Sequence, residues 1–252
     1  MRTVAVIPAR YASTRFEGKP LALIAGRSMI ERVYTSVNRS PSVDEVVVAT
    51  DDSRIAQAVE AFRGRAVMTS DQHRSGTDRV NEVAGQMGLA AEDIVINVQG
   101  DQPMVQSACF DQVVQPLQDD PDLGMSTLAI RIRNEREYRD PKDCKVTIDL
   151  KGYALYFSRA AIPMLRDPGE PQAEKVASYK HLGIYAYRRW FLGLFSRLPS
   201  GPLEMAEKLE QLRALEHGYP VKVVLTQFDS PEVDLPQDIP RIEKLLSGHH
   251  HP

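Results

Sequence analysis

Residues 3–21 read TVAVIPARYASTRFEGKPL, a short run of mostly apolar residues followed by a polar loop. The run predicts a buried strand over Thr3–Pro8. Two similar runs, Glu45–Ala49 and Ile94–Val98, follow it, and segments of helical period separate all three. Strands that alternate with helices are typical of βαβ units, so the sequence predicts an α/β fold with a mostly parallel sheet covered on both faces.

Three amphipathic segments supply the helices of this core. Ser28 and Glu31 have the spacing of a capping box, which predicts a helix over residues 28–38. Two later segments repeat apolar side chains at helical spacing: Ile55, Val59 and Phe62, then Val80, Val83, Ala84 and Met87. We therefore predict a Rossmann-like core of the nucleotide-binding type over residues 1–124.

Past residue 124 the pattern changes to strands separated by polar loops, which predicts an α+β part over residues 125–228. Leucines 203, 209, 212 and 215 predict one helix, ended by Gly218. Residues 229–252 complete a single domain, 1–252. Within it, the polar loop Arg166–Ser178 is predicted to be mobile. The terminal histidines, His249–His251, are predicted to have no function. The predicted strands are Met125–Arg131, Lys145–Asp149, Tyr153–Ser158, Leu182–Tyr187 and Val221–Thr226, and the terminal helix is Pro236–Leu246.

The charge balance limits what the protein binds. Among 252 residues, 31 basic and 34 acidic side chains give a formal net charge of −3, which offers no general field for nucleic acid. Cys109 and Cys144 lack metal-binding or disulfide spacing, so we expect reduced thiols. No uncharged window approaches 18 residues, and the first apolar run is too short for a signal peptide. We expect a cytoplasmic protein without membrane insertion.

The loop after the first predicted strand carries three cations. Arg10, Arg15 and Lys19 could neutralise several phosphate oxygens, and small residues such as Ser13 and Gly18 let backbone N–H groups approach them. Pro20 follows Gly18-Lys19, so the loop is not a Walker motif, and no GxGxxG occurs in the chain. A triphosphate suits this loop, although a plain solvated basic loop is the alternative.

Carboxylates and hydroxyls follow other predicted strands. Asp101, in NVQGDQP (97–103), lies where the chain turns at a glycine and could hold Mg²⁺ beside a phosphate loop. The alternative for Asp101 is a turn residue that caps its own backbone. Asp234 is a second carboxylate candidate, whose alternative is a helix N-cap. Ser75, in SGTDR (75–79), could offer donors to a nucleotide, and a plain helix cap is equally compatible.

In this order the motifs resemble those of the 3-deoxy-manno-octulosonate cytidylyltransferase family, also called CMP-Kdo synthetases. They run nearly end to end: IPARYASTRFEGKPL, VVVATDD, SGTDR, NVQGDQP, YALYFSRAAIP, KHLGIYAYR, EKLEQLRAL and the VD of EVDLPQD. Members transfer CMP from CTP to the anomeric hydroxyl of an eight-carbon sugar acid, releasing pyrophosphate, in lipopolysaccharide synthesis. The resemblance implies a nucleotidyltransferase core, a sugar-binding and dimerisation part in residues 125–228, and a homodimer.

The resemblance also implies roles for individual residues. Asp101 and Asp234 would hold Mg²⁺, and Lys19, Arg15 and Asp101 would be the catalytic groups. The nucleotide-binding positions would be Ala9, Arg10, Ser13, Arg15, Lys19, Ser75, Gln99 and Gly100. The sugar-binding positions would be Gln99, Arg159, His181, Tyr185, Glu210 and Gln211. Without the resemblance, Glu210 and Gln211 read as a solvated helix face, and His181 as a strand histidine with no ligand.

The sequence departs from the family pattern at three positions. Glu17 stands where proline is common, Gln102 where many members carry glutamate, and Leu235 where threonine often follows the aspartate. An 8-amino analogue of the sugar remains an alternative substrate, and a non-catalytic nucleotide-sensing module is the alternative from another class. The HLGIY and EQLRAL segments argue against a sialic acid cytidylyltransferase and a nucleotide-sugar glycosyltransferase.

Overall fold

A computed structural model describes residues 1–73, 75–167 and 176–248 of the chain. Most of the loop predicted to be mobile, residues 168–175, and the histidines of the tail lie outside these ranges. The strands are β1 Thr3–Ala9, β2 Leu23–Ile24, β3 Arg27–Ser28, β4 Glu45–Thr50, β5 Ala66–Met68, β6 Ile94–Asn97, β7 Met125–Arg131, β8 Lys145–Ile148, β9 Ala154–Ser158, β10 Tyr179–Arg188 and β11 Lys222–Thr226.

Helices follow most of these strands. None of the helices in the described ranges has the length and apolar character needed to cross a membrane. The helices are α1 Met29–Val37, α2 Ser53–Ala61, α3 Gly76–Gln86, α4 Ala108–Asp119, α5 Glu135–Arg139, α6 Arg189–Phe195, α7 Pro202–Glu207, α8 Leu212–Glu216 and α9 Ile239–Gly248. Short 3-10 turns occupy Lys19–Leu21 and Pro236–Asp238.

One nine-stranded sheet organises the chain, in the order β11-β7-β10-β6-β1-β4-β5, with β8 and β9 joined at β10. Strands β6, β1, β4 and β5 run parallel, as does the β11-β7 pair. Strand β10 lies antiparallel between β6 and β7. The prediction of an α/β fold with a mostly parallel sheet is therefore confirmed, and the antiparallel strand is the element that links the two halves of the sheet.

Strand β1 shows why the sheet is covered on both faces. Ala5 and Ile7 pack into one apolar core with α1, α2 and α4, whereas Val4 and Val6 pack into the opposite core with α3 and α6. Because side chains alternate between faces along a strand, a continuous apolar run feeds both cores at once. The predicted helix start is also confirmed, since Ser28 Oγ caps α1 by accepting a hydrogen bond from Glu31 N at 3.3 Å, one of the two bonds of a capping box.

The single helix predicted through residues 203–215 is wrong. Helix α7 ends before Lys208, which adopts a left-handed conformation with φ of 55°, and α8 begins only at Leu212. Arg213 binds Glu204 through two hydrogen bonds, 2.8 and 2.5 Å long, and so holds the two short helices together. The intervening turn points Gln211 into the protein, where its side chain is only 3% exposed.

The C-terminal segment returns to the first half of the chain. Val233 N donates a hydrogen bond to Asp101 O at 3.0 Å, and the buried Val233 side chain packs in a small core with Ile24, Met29 and Ile242. This contact places residues 232–234 beside the end of β6.

Candidate functional site

A polar cleft of about 1000 Å³ opens at the carboxyl ends of the parallel strands. It is lined by the ends of β1 and β6, the start of α3, the middle of β10, the turn between α7 and α8, and the C-terminal segment. Ligands of open α/β sheets bind beyond the carboxyl ends of the strands, so the cleft lies where this fold places its sites.

The cationic loop, residues 10–19, borders the cleft at two of the carboxylates that line it. Lys19 Nζ lies 2.7 Å from Asp101 Oδ2, and Arg15 Nη1 lies 3.7 Å from Asp234 Oδ1. Arg10 and Ser13 are exposed, and Ser13 Oγ accepts a hydrogen bond from Phe16 N. Two of the three cations thus already face carboxylates, and Arg10 extends into solvent.

The end of β6 closes tightly on the end of β1. A Cβ at Gly100 would lie 3.3 Å from Pro8 O, closer than most Cβ contacts, so the close approach of the two strand ends favours glycine there. Ala9, the last residue of β1, is buried beside this contact. Gln99 Nε2 donates to Gly183 O at 3.1 Å, in a bulge of β10 where Gly183 has a φ of +70°. The two strands that frame the cleft are therefore linked by a predicted site residue.

Three carboxylates converge on one side of the cleft. Glu232 lies near Asp101 and Asp234, and the surrounding protein, the charge of Asp101 and then that of Asp234 raise the pKa of Glu232 to about 7. The Asp234 side chain does not cap the following helical turn, since the Asp238 carboxylate accepts the backbone N–H groups of Asp234 and Leu235. Concentrated negative potential of this kind favours a cation.

The carboxylates on this side of the cleft have donor chemistry that suits a magnesium ion. Over the described ranges, no three His, Cys, Asp or Glu side chains converge in a way that could hold a metal ion by themselves. Mg²⁺ commonly takes only one or two protein carboxylates and completes its shell with water and substrate phosphates. Asp101 and Asp234, which both line the cleft beside the cationic loop, fit that requirement.

His181, Tyr185, Glu210 and Gln211 form what we call the polar floor of the cleft. Thr127 Oγ1 donates its only proton to Ile184 O at 2.7 Å, so it accepts from His181 Nε2 at 2.8 Å. Burial lowers the pKa of His181 to about 3. The imidazole is therefore neutral at pH 7, with its proton on Nε2 and with Nδ1 as an acceptor.

Tyr185 and Gln211 are joined on this floor. The Tyr185 hydroxyl donates to Gln211 Oε1 at 3.0 Å, and Gln211 Nε2 lies 3.7 Å from Cys144 Sγ. Burial raises the pKa of Cys144 to about 12, so the thiol is inert, and both cysteines are free as predicted. The solvated helix face that was the alternative for Gln211 is excluded by its burial.

Glu210 reaches the start of α3. Thr77 Oγ1 donates to Glu210 Oε2 at 2.7 Å, and Arg213 Nη2 lies 3.6 Å from Glu210 Oε1. Burial raises the pKa of Glu210, although the bond from Thr77 opposes the shift. Ser75 Oγ caps α3 by accepting from Asp78 N at 3.1 Å, so the plain cap is part of its role.

Arg159 lies on the far wall of the cleft. Its backbone N–H donates to Glu207 Oε2, and its Nε donates to Glu207 O, both at 2.9 Å. Its Nη1 donates to Pro141 O at 3.1 Å. No described residue accepts from Nη2, so the guanidinium is fixed in place and still presents a donor.

Sequence reasoning missed three polar residues of this region. Glu232 had no strand or cap pattern to mark it, and Thr77 lay inside a motif that was assigned to Ser75 alone. Gln102, whose side chain is 1% exposed, donates to Leu182 O at 2.7 Å and to Glu232 Oε1 at 3.3 Å. The replacement of the family's common glutamate by Gln102 was the one signal in the sequence that pointed to this position.

The parallel core, the cationic loop after its first strand and the opposed carboxylates define a nucleotide-binding α/β protein. Comparison with known proteins narrows the class. The family profile described as Cytidylyltransferase matches residues 4–225. A 3-deoxy-manno-octulosonate cytidylyltransferase of Desulfatibacillum aliphaticivorans is 60% identical over 98% of this chain and 99% of its own length.

Two further relatives extend the comparison. An 8-amino-3,8-dideoxy-manno-octulosonate cytidylyltransferase of Shewanella piezotolerans is 48% identical over 98% of this chain and 99% of its own. A solved structure of CMP:2-keto-3-deoxy-manno-octonic acid synthetase complexed with CTP is 42% identical, covers 99% of this chain and 100% of its own, and superposes with a TM-score of 0.91. This chain belongs to the 3-deoxy-manno-octulosonate cytidylyltransferase family.

Proposed function

We propose that this chain transfers CMP from CTP to the anomeric hydroxyl of 3-deoxy-D-manno-octulosonate, Kdo, and releases pyrophosphate. The observation that carries the proposal is a cleft whose lining combines the Asp101 and Asp234 carboxylates, each paired with a cation of the neighbouring loop, with a hydrogen-bonded polar floor. In the reaction the anomeric oxygen bonds to the α-phosphorus, the bond from that phosphorus to the bridging oxygen of pyrophosphate breaks, and the hydroxyl proton is released. The product is the activated sugar for lipopolysaccharide synthesis.

The loop and the strand ends beside it would bind the nucleotide. Arg10, Ser13, Arg15 and Lys19 would contact the triphosphate, and Lys19 and Arg15 would offset the charge that builds on the departing pyrophosphate. Ala9, Ser75, Gln99 and Gly100 would frame the cytosine and ribose. Lys19 and Arg15 pair with the carboxylates of Asp101 and Asp234. Binding of CTP would draw these cations toward the phosphate oxygens, which would compete with the carboxylates for them.

Asp101 and Asp234 would hold Mg²⁺ once Lys19 and Arg15 turn to the phosphates. A bound Mg²⁺ supplies charge neutralisation at the phosphates and lowers the pKa of a hydroxyl that coordinates it. The chain's own contribution is to hold these two carboxylates at the edge of the cleft, beside the cationic loop.

The polar floor and Arg159 would bind the sugar acid. The sugar carries a carboxylate and several hydroxyls, which require a cation and acceptors of fixed direction. Arg159 supplies the cation, while His181 Nδ1, the Tyr185 hydroxyl, Glu210 and Gln211 supply groups already held by hydrogen bonds. The similarity to the Shewanella relative keeps the 8-amino sugar as the second candidate acceptor.

The experiment is an assay of pyrophosphate release from CTP and Mg²⁺ with Kdo, 8-amino-Kdo and N-acetylneuraminate offered separately. The proposal is supported if kcat/KM is highest with Kdo. If kcat/KM is highest with 8-amino-Kdo, the proposed reaction stands and the acceptor is the 8-amino sugar. Silence with all three sugars, together with measurable CTP binding, would favour the non-catalytic nucleotide-sensing alternative.

The assembly and location complete the proposal. We infer a homodimer by resemblance to the family, and the exposed apolar side chains of Leu155 on β9 and of Leu203 and Met205 on α7 are compatible with a covered surface. A mass of twice 28.2 kDa in light scattering would support it, and a single 28.2 kDa species would oppose it. Use of CTP and two unoxidised cysteines agree with action in the cytoplasm.

A further inference from the structure

Asn97 ends β6 and lies at the centre of the sheet, between the two halves of the cleft. It pairs with Val6 of β1 on one side and with Tyr185 of β10 on the other. Its side chain is 2% exposed and lines the cleft, yet its Oδ1 has no hydrogen-bond partner within the described ranges. A buried acceptor without a donor costs free energy, and such groups in native proteins ordinarily have a use.

The hydrogen bonds around Asn97 define the direction in which its amide points. Thr77 Oγ1 donates its single proton to Glu210 Oε2 at 2.7 Å. It therefore accepts from Asn97 Nδ2, which lies 3.1 Å away. The amide is thus oriented by a relay of three side chains, and Oδ1 is left as the acceptor.

We propose that Asn97 is a further binding residue for the acid sugar, whose Oδ1 accepts a hydrogen bond from one sugar hydroxyl. This inference rests on the proposed function. Asn97 is the cross-strand partner of Tyr185 and is linked through Thr77 to Glu210, so both of its neighbours on the floor are proposed sugar-binding groups. Thr77 is a positioning residue, which orients Asn97 and Glu210 together.

The test measures Asn97→Ala against the sugar acid and a set of its monodeoxy analogues at saturating CTP. One hydrogen bond predicts that KM for the sugar rises about tenfold, while KM for CTP stays within twofold. The wild-type enzyme should discriminate against one deoxy analogue by about tenfold, and Asn97→Ala should handle that analogue and the parent sugar equally. Asn81→Ala, on α3 and bonded to Arg189, is the matched control.

Thr77→Val and Thr77→Ser keep the proposal testable if Asn97→Ala does not fold, as judged by its thermal unfolding. Thr77→Val removes the relay without changing volume and should raise KM for the sugar about threefold, whereas Thr77→Ser should restore it. Three results in folded Asn97→Ala would each overturn the proposal. They are an unchanged KM for the sugar, retained discrimination among the deoxy analogues, and a rise in KM for CTP alone. Wild-type enzyme inactive with every octulosonate would instead remove the proposed function, and the inference with it.

Discussion

The cationic loop and the polar floor meet one cleft but are built differently: the loop borders it at Asp101 and Asp234, and the floor lines it. In the loop, Arg10 is exposed and the Arg15 side chain is 72% exposed, and Arg15 and Lys19 pair with carboxylates. In the floor, His181 and Gln211 are 9% and 3% exposed, and hydrogen bonds hold each side chain in place. Under the proposed function, the loop would bind by charge and rearrange, whereas the floor is already organised.

This difference assigns separate tasks to the two sides. Exposed cations interact with any triphosphate and adjust to it at little cost, but they discriminate poorly between ligands of equal charge. Buried, directed groups lose little entropy on binding and penalise a ligand that leaves them unpaired. We call the cationic loop, with Asp101 and Asp234, the charged side, and we expect substitutions there to change mainly kcat. Substitutions in the floor should change mainly the choice of sugar acceptor and the stability of the fold.

Replacement of Asp101 by alanine should produce the largest effect. The variant should lose at least about 100-fold in kcat, or about 2.7 kcal/mol of transition-state stabilisation, with an unchanged thermal unfolding curve. Folding should be unaffected because, within the described ranges, the Asp101 side chain bonds to Lys19 alone, at the edge of the cleft. Steady-state kinetics in Mg²⁺ buffer measures the loss, with Asp119→Asn on α4 as control. A kcat near that of the wild type would show that Asp101 has no role in the reaction.

His181→Gln should change stability through pH. The pKa of His181 is depressed to about 3 in the fold from an ordinary 6.5, so the unfolded chain binds the proton more tightly. Below pH 6.5 the wild type therefore loses stability, by about 2 kcal/mol at pH 5 from this residue. The variant should lack that loss, which denaturant unfolding at pH 7 and pH 5 would reveal.

His217→Gln is the control for this measurement, since His217 lies outside the floor and bonds to Pro199 O. If His181→Gln and the wild type lose equal stability between pH 7 and pH 5, then His181 is charged in the fold and the floor is less enclosed than its burial indicates.

Arg159→Ala should separate the two sides kinetically. KM for the sugar acid should rise at least about tenfold, because a charge-assisted hydrogen bond to the substrate carboxylate is lost, while KM for CTP should change little. Initial rates with each substrate varied in turn measure both constants. Arg139→Ala, whose side chain pairs with Glu135 on α5, is the matched control. An unchanged sugar KM would place the sugar carboxylate elsewhere.

Lys208→Gly should give the smallest effect, a gain in stability. Lys208 holds a left-handed conformation that costs a non-glycine residue about 1–2 kcal/mol, part of which glycine returns through its greater freedom when unfolded. We expect a net gain of about 1 kcal/mol, or about 2–4 °C in Tm. Arg63→Gly, at a φ of 63° after α2, should gain similarly. A loss of stability in Lys208→Gly alone would show that the Lys208 side chain itself supports the turn.

The charged residues beside the cleft were candidates from the sequence itself, whereas those of the floor were not. Lys19 and Asp101 follow apolar strands, and the rule that parallel strands end at one edge agrees with their contact at 2.7 Å, while their roles stay predictions. The turn at Lys208 was missed because residues 203–215 keep helical spacing, whereas the chain turns at the left-handed Lys208 and Arg213 pairs with Glu204 across the turn. Glu210 and Gln211 consequently became site candidates only through family resemblance.

Two further features have no counterpart in the prediction. Helix α4 contains Pro116, yet Phe110, Val113 and Leu117 bury the helix well enough to tolerate the proline. Asn97 and Glu232 have neighbours more than 80 positions away, Tyr185 on the adjacent strand and Gln102, and no local pattern carries such information.

The hydrogen bond from Val233 to Asp101 has a consequence for how the protein is made. Because Asp234 arrives with this contact, the residues of the parallel core, the cationic loop and the polar floor are all synthesised before one of the two carboxylates. Under the proposed role of Asp234, turnover would wait until nearly the whole message has been translated. Products of premature termination before residue 233 would then bind nucleotide without consuming it.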